Sequence, residues 1–172
     1  MKMRKYWVCL IIPVVIVYVL AVNAFIKVPQ SAGVYPNEFP LAIDLNRTVF
    51  FRGEVLSFTI TVTNNSGQDV NIVTNGSQPC FYFMLRPIDS FLGHADPSGL
   101  RYKGILKAGE GLTRTQNIWL VIPGVYILDV HYGMMIYDDI VLTCDTGDCW
   151  ISISDNHVSF GGHLDPITIV VV

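Results

Sequence analysis

Cysteine, aspartate, histidine and methionine gather in the distal third of this chain, so the search for chemistry starts there. The segment Leu142-Thr-Cys-Asp-Thr-Gly-Asp148 contains Asp145-Thr146-Gly147, the tripeptide that bears the catalytic carboxylate of aspartic proteases. That chemistry needs two carboxylates sharing a proton. The chain has one copy, bracketed by Cys144 and Cys149 and lacking the usual following Ser or Ala. The segment reads better as a hairpin tip with the two cysteines facing each other across it. A Cys144–Cys149 bridge would close a short loop and pin the turn more than the fold. A bridge to Cys80 would be a larger clasp.

The second chemical candidate is copper. His131, Met134, Met135, His157 and His163 bring imidazoles and soft thioethers into one region, and such ligands suit copper in exported β-proteins. The spacing departs from a blue-copper loop: Cys149 to His157 is too long, and no Met follows. Ser-His-Asp order, a phosphate-cradling glycine loop and a His-Glu metal helix are all missing from the sequence. The expectation is therefore a non-enzymatic chain with no cofactor, a copper-binding module being the alternative.

The elements around these residues begin with a leader. Lys2, Arg4 and Lys5 precede an uncharged run from Tyr6 to Val22, the charged and apolar regions of a secretory signal. Positive charge at the start holds that end in the cytoplasm and sends the rest across. Val22-Asn23-Ala24 offers a cleavage site, but Tyr6 to Ile26 has only Asn23 as a strongly polar residue. As a helix at ~1.5 Å per residue it reaches about the ~30 Å of a bilayer core. Residues 1–26 are accordingly expected to form a retained signal-anchor or transmembrane helix. Cys9 is an apolar filler there, without the small residues of a lipobox before it.

Export agrees with three glycosylation sequons at Asn46, Asn64 and Asn75, each in or beside a turn-like stretch. It also agrees with a cysteine pair free to oxidise outside the cytoplasm. Eleven Lys and Arg stand against 14 Asp and Glu. Three of the basic residues are in the leader, so the remainder carries eight against 14, a net of −6. No Lys or Arg follows Arg114. That balance argues against a nucleic-acid partner, because a phosphate backbone demands clustered positive charge.

Residues 27–46 carry Pro, Gly and Ser without clear period and are expected to be a stalk. In Val55–Thr63, Leu56, Phe58, Ile60 and Val62 alternate with Ser57, Thr59, Thr61 and Thr63, the period of a half-buried strand. Further strands are expected over Val70–Thr74, Phe81–Arg86, Thr113–Val121, Val125–Tyr132, Ile140–Thr143, Trp150–Ser154 and Ile167–Val172. Many short strands with Gly, Pro, Asn and Asp between them predict an all-β ectodomain over 47–172, an immunoglobulin-like β-sandwich. The last strand, apolar on both faces, is either central or an edge offered to a partner.

Several elements resemble the BsuPI-type immunoglobulin-like domain, known from an intracellular proteinase inhibitor. They are Phe51-Arg-Gly-Glu54, Thr63-Asn-Asn-Ser66, Asn75-Gly-Ser-Gln78, Phe81-Tyr-Phe83, Leu106-Lys-Ala-Gly-Glu110, Trp119 and Pro123-Gly-Val-Tyr126. The resemblance covers residues 50–132 and implies the sandwich fold and, as a possible activity, proteinase inhibition, for which Phe91–Gly99 is the long apolar loop. On physical grounds, Gly53 and Gly109 suit turns that need positive φ, and Trp119 and Tyr126 are expected to plug the core. Anchor, stalk and one sandwich together lead to the expectation of a membrane-anchored extracytoplasmic interaction module, partnered by other proteins of the cell surface or a membrane complex.

Overall fold

The computed structural model describes residues 28–30, 33–75, 80–89, 94–95, 101–144 and 149–172, and there the chain is all β. The strands are β1 (Val28–Gln30), β2 (Gly33–Val34), β3 (Leu41–Leu45), β4 (Val49–Phe50), β5 (Val55–Thr63), β6 (Val70–Asn75) and β7 (Cys80–Pro87). They continue with β8 (His94–Ala95), β9 (Arg101–Leu106), β10 (Gly111–Trp119), β11 (Gly124–Ile136), β12 (Trp150–Ser154), β13 (His157–Leu164) and β14 (Ile167–Val171).

Sheet A is antiparallel, in the order β1-β3-β5-β10. Sheet B is organised by β11, which at 13 residues is long enough to take two partners in succession along each side. On one side β14 pairs with Gly124–Leu128 and β13 with His131–Ile136. On the other, β7 covers Tyr126–Gly133 and β6 covers Met135–Ile136. β12 and β2 add to β13, β9 to β6 and β8 to β7, while β4 runs parallel to β14.

Period-two alternation dictates which face is buried. Leu56, Phe58, Ile60 and Val62 of β5 meet Leu128, Val130, Tyr132, Met134 and Ile136 of β11 in one core. Phe58 and Phe83 bridge the sheets edge to face with centroids 5.6 Å apart, and Phe39 lies 4.7 Å from Phe160. Each fully buried side chain of this size contributes on the order of 2–3 kcal/mol. The buried Tyr132 hydroxyl donates to the Phe39 carbonyl at 2.7 Å. Burial pushes that phenol well above its ordinary range.

Three expectations need correction, and one left open is decided. Residues 33–46 are not a stalk: Phe39, Leu41 and Leu45 are fully buried and β3 is internal to sheet A. The alternation of Leu41, Ile43 and Leu45 with Ala42 and Asp44 outweighs the nearby Pro and Gly. Ile140–Thr143 is not a strand. Its polar groups are taken by the turn before β3, with the Thr143 amide and hydroxyl donating to Glu38 at 2.9 and 2.7 Å and the Asn37 amide donating to the Thr143 carbonyl. Of the two alternatives for the final strand, the central one holds: β14 lies between β11 and β4, which pairs with Val170 and Val171. Trp119 is 71% exposed and plugs nothing; Tyr126 is half-buried, and its hydroxyl ties back to the Ile122 carbonyl at 2.8 Å.

The anchor over residues 1–26 lies outside the described residues. Among those described, no helix is long and apolar enough to cross a membrane. Phe91–Gly99 also lies outside them, apart from His94 and Ala95 of β8.

Candidate binding surface

The outer face of sheet B follows from register. Gly133 of β11 stands opposite Gly161 of β13, and Gly161 in turn opposite Trp150 of β12. Two facing glycines remove side chains from the middle of a sheet, leaving a dip. Met135 and Ser159 pair beside it, and Val73 pairs with Met135 from the far edge. Tyr82 closes the other end. The result is a concavity of about 340 Å³ lined by Val73, Tyr82, Gly133, Met135, Trp150 and Ser159. Its two aromatic walls are open to solvent, Trp150 at 59% and Tyr82 at 46% exposure. An apolar dip with aromatic walls and the hydroxyls of Ser159 and Tyr82 suits an apolar or aromatic side chain of a partner.

The glycines are required for more than the dip. A Cβ on Gly161 would run into the Tyr132 carbonyl oxygen, and one on Gly162 would come within 2.5 Å of Tyr35 and the Val34 carbonyl. The bare Gly161 lets β13 approach β11 closely, and the bare Gly162 and Gly33 let it approach β2. Gly133 is different, with nothing nearer than 3.9 Å to an added Cβ.

The proposed metal residues do not converge. His131 and His163 are cross-strand partners with ring centroids 5.5 Å apart. Met135 lies on the same outward face as His131, whereas Met134 points into the core. His157 is at the far end of β13, within 2.9 Å of the Ser154 hydroxyl and with its ring tilted against Tyr137 at a centroid distance of 5.7 Å. No group of three or more His, Cys, Asp or Glu that could hold a metal occurs among the described residues. The two facing imidazoles could supply two nitrogen ligands. Partial burial, and then the neighbouring His163, hold the His131 pKa below the usual histidine value, with Asp129 acting in the opposite direction.

Cys144 and Cys149 are bridged, their Cα atoms 6.2 Å apart, so the larger clasp to Cys80 is not made. Of the three sequons, Asn46 is exposed and the side chain of Asn75 lies outside the described residues. Asn64 cannot carry a glycan in the folded domain. It is fully buried, and its Nδ2 donates to the carbonyls of Gln68 (2.9 Å) and Leu106 (3.0 Å).

No family model matches the chain, and no curated protein matches it. The resemblance over residues 50–132 is therefore without a family match. Among solved structures the chain is similar to AggA, the major subunit of aggregative adherence fimbriae type I from Escherichia coli. The identity is 12% and the TM-score 0.38, over 79% of this chain and 97% of that one. It is also similar to Spo0M, a sporulation control protein from Bacillus subtilis, at 14% identity and a TM-score of 0.30. That match covers 78% of this chain and 49% of the other, so this chain spans about half its length. At such scores the overlay is partial, and the fold rests on the chain's own strands.

Sequence reasoning missed the concavity, whose lining joins Val73, Tyr82, Gly133, Met135, Trp150 and Ser159 from five strands. The outward position of Tyr82 between Phe81 and Phe83 was the one legible hint.

Proposed function

We propose that this protein is a non-enzymatic interaction module of the cell exterior, held to a membrane by its apolar N-terminal segment and binding another protein through the outer face of sheet B. The concavity over Gly133, with its solvent-facing Trp150 and Tyr82, is the observation that carries the reading. The basic-then-apolar leader and the Cys144–Cys149 bridge support a place outside the cytoplasm. The strand order supports an immunoglobulin-like sandwich. β3, β5 and β10 form one sheet, while β9, β6–β7, β11, β14 and the parallel β4 run across the other.

A photo-crosslinking side chain placed at Trp150 in cells tests this, with the same group at the exposed Ala42 of sheet A as control. A discrete protein adduct from position 150 and none from position 42 is expected; equal or no labelling from both positions sinks the reading. A copper-binding role is a second reading, favoured only by the His131–His163 pair. Copper titration of the protein and of its His163→Ala variant decides it, since binding no tighter than micromolar in the unaltered protein removes the idea. Proteinase inhibition rests on the resemblance alone, and a protease panel tests it.

A further inference from the structure

One end of the sandwich is apolar where a soluble domain would be polar. Phe51 (63% exposed), Trp119 (71%), Val121 (56%), Ile122 (65%) and Val172 (44%) come from three separate segments. Backbone hydrogen bonds bind those segments together: the Arg52 amide donates to the Val172 carbonyl at 2.8 Å and the Gly53 amide to the Leu120 carbonyl at 2.7 Å. Ile88 and Val125, joined by an amide-to-carbonyl bond of 3.0 Å, lie at the same end of sheet B and are themselves exposed. Isolated exposed apolar residues are ordinary; a contiguous group of this size marks a contact surface.

Strand register says what faces it. Val28 pairs with Leu45, Leu45 with Phe58, and Val55 with Trp119. The chain therefore enters β1 at the end of the sandwich that bears the patch, about three residues, or roughly 10 Å, short of its rim. The apolar run Tyr6–Ile26 precedes that entry directly, separated by Lys27 alone. Charge at this end is balanced: Arg47, Arg52 and Arg86 lie near the patch with Glu54, Asp89 and Asp129, two of the arginines in ion pairs with Glu54 (3.1 Å) and Asp129 (3.2 Å). Asp69, Glu110, Asp138, Asp139 and Asp155 stand towards the opposite end, with Lys107.

We infer that the domain stands on the lipid bilayer by this end, with Phe51, Trp119 and Ile122 in the headgroup region. Tryptophan favours that interface because its ring is apolar and its N–H polar. A tether of so few residues makes docking intramolecular, so a patch too weak to bind vesicles alone suffices. Docking by this end leaves the outer face of sheet B, and its concavity, clear of the membrane. The inference rests on reading residues 6–26 as a membrane anchor.

The test uses the full chain reconstituted in phosphatidylcholine–phosphatidylglycerol vesicles containing lipid brominated near the headgroup. With Trp7→Phe and Trp150→Phe, only Trp119 emits; with Trp7→Phe and Trp119→Phe, only Trp150 does. Quenching of Trp119 about twofold or more greater than that of Trp150 is expected, and Phe51→Asp with Ile122→Asp is expected to reduce it at unchanged thermal stability. Equal quenching in chains that float with the vesicles overturns the docking and leaves the anchor intact. Chains that do not float overturn both. Protection of Trp119 by chemical crosslinks between copies of the chain, without lipid quenching, assigns the patch to self-association and overturns the proposal.

Discussion

The side-chain amide of Asn64 donates to the backbone carbonyl of Leu106 at 3.0 Å, joining the end of β5 to the end of β9 across 42 positions of sequence. The same side chain donates to the Gln68 carbonyl and accepts from both the amide and the hydroxyl of Ser66, at 3.0 and 2.6 Å. Its backbone is committed as well, since its amide donates to the Glu110 carbonyl and its carbonyl accepts from Gly109. Asn64 thus fastens the β5–β6 turn to the β9–β10 turn from inside the domain.

Replacing Asn64 by Ala takes this donor from the buried Leu106 carbonyl and one of two side-chain donors from the Gln68 carbonyl, and is expected to destabilise the domain by about 2–3 kcal/mol. Asn64→Asp is expected to cost more, because a carboxylate would face two carbonyl oxygens. Urea denaturation of both variants checks the order; an Asp variant as stable as the parent contradicts the geometry. In a glycosylating host, mass spectrometry of the folded protein should find Asn64 bare.

Much of this architecture could be read from side-chain period. Alternation gave β5 and β12 their bounds, and placed β6, β7, β10, β11 and β14 to within a few residues at each end. Period failed where backbone demands overrode it. β13 is broken in pattern by Gly161-Gly162, which are there because neighbouring strands crowd them. Leu41, Ile43 and Leu45 did alternate, but Pro36, Asn37 and Pro40 signalled a loop more loudly. The concavity was illegible for another reason. Its floor and walls depend on which residues pair across β11, β13 and β12, and register is not written in any one strand. Asn64 read as a solvent-exposed sequon because its hydrogen bonds are partly local, which is equally true of exposed turns.

The glycines of β13 make separable predictions. Gly161→Ala and Gly162→Ala each force backbone apart and are expected to lose about 2–4 kcal/mol. Gly133→Ala has room and should be near neutral in stability while partly filling the dip. Thermal melts separate the three. Loss of the Trp150 crosslink in Gly133→Ala at unchanged stability would tie the concavity to binding.

Two turns use one device. In Phe51-Arg-Gly-Glu54 and Lys107-Ala-Gly-Glu110 the Glu amide donates to the first residue's carbonyl, at 3.1 and 3.0 Å. The Glu carboxylate accepts from that residue's own amide, at 2.7 and 2.9 Å. The glycines take φ of 88° and 77°, a region that costs an L-residue roughly 1 kcal/mol. Gly53→Ala and Gly109→Ala should each lower stability by about that amount. For Glu54, the amide of Phe51 and then Arg47 hold the carboxyl below its usual value. Its contribution is therefore present above the unfolded carboxyl pKa and lost as pH falls through the folded one. Glu54→Gln should flatten that acid limb, as read by urea midpoints against pH.

The His131–His163 pair gives a pH dependence in a higher window. The folded His131 pKa lies below the unfolded value of about 6.5, so the unfolded chain takes up the proton first. Stability is then fully present above about pH 6.5 and falls as pH drops from there to the folded pKa, below which the loss is constant. Burial is the larger cause and the neighbouring imidazole the second, which separates the outcomes by variant. His163→Gln should raise the His131 pKa, and Asp129→Asn should lower it further, both read as imidazole proton shifts by NMR. His131→Gln should remove part of the decline in stability between pH 7 and 5. If His131 titrates at the same pH with and without His163, the two rings are not coupled, and burial alone governs this residue.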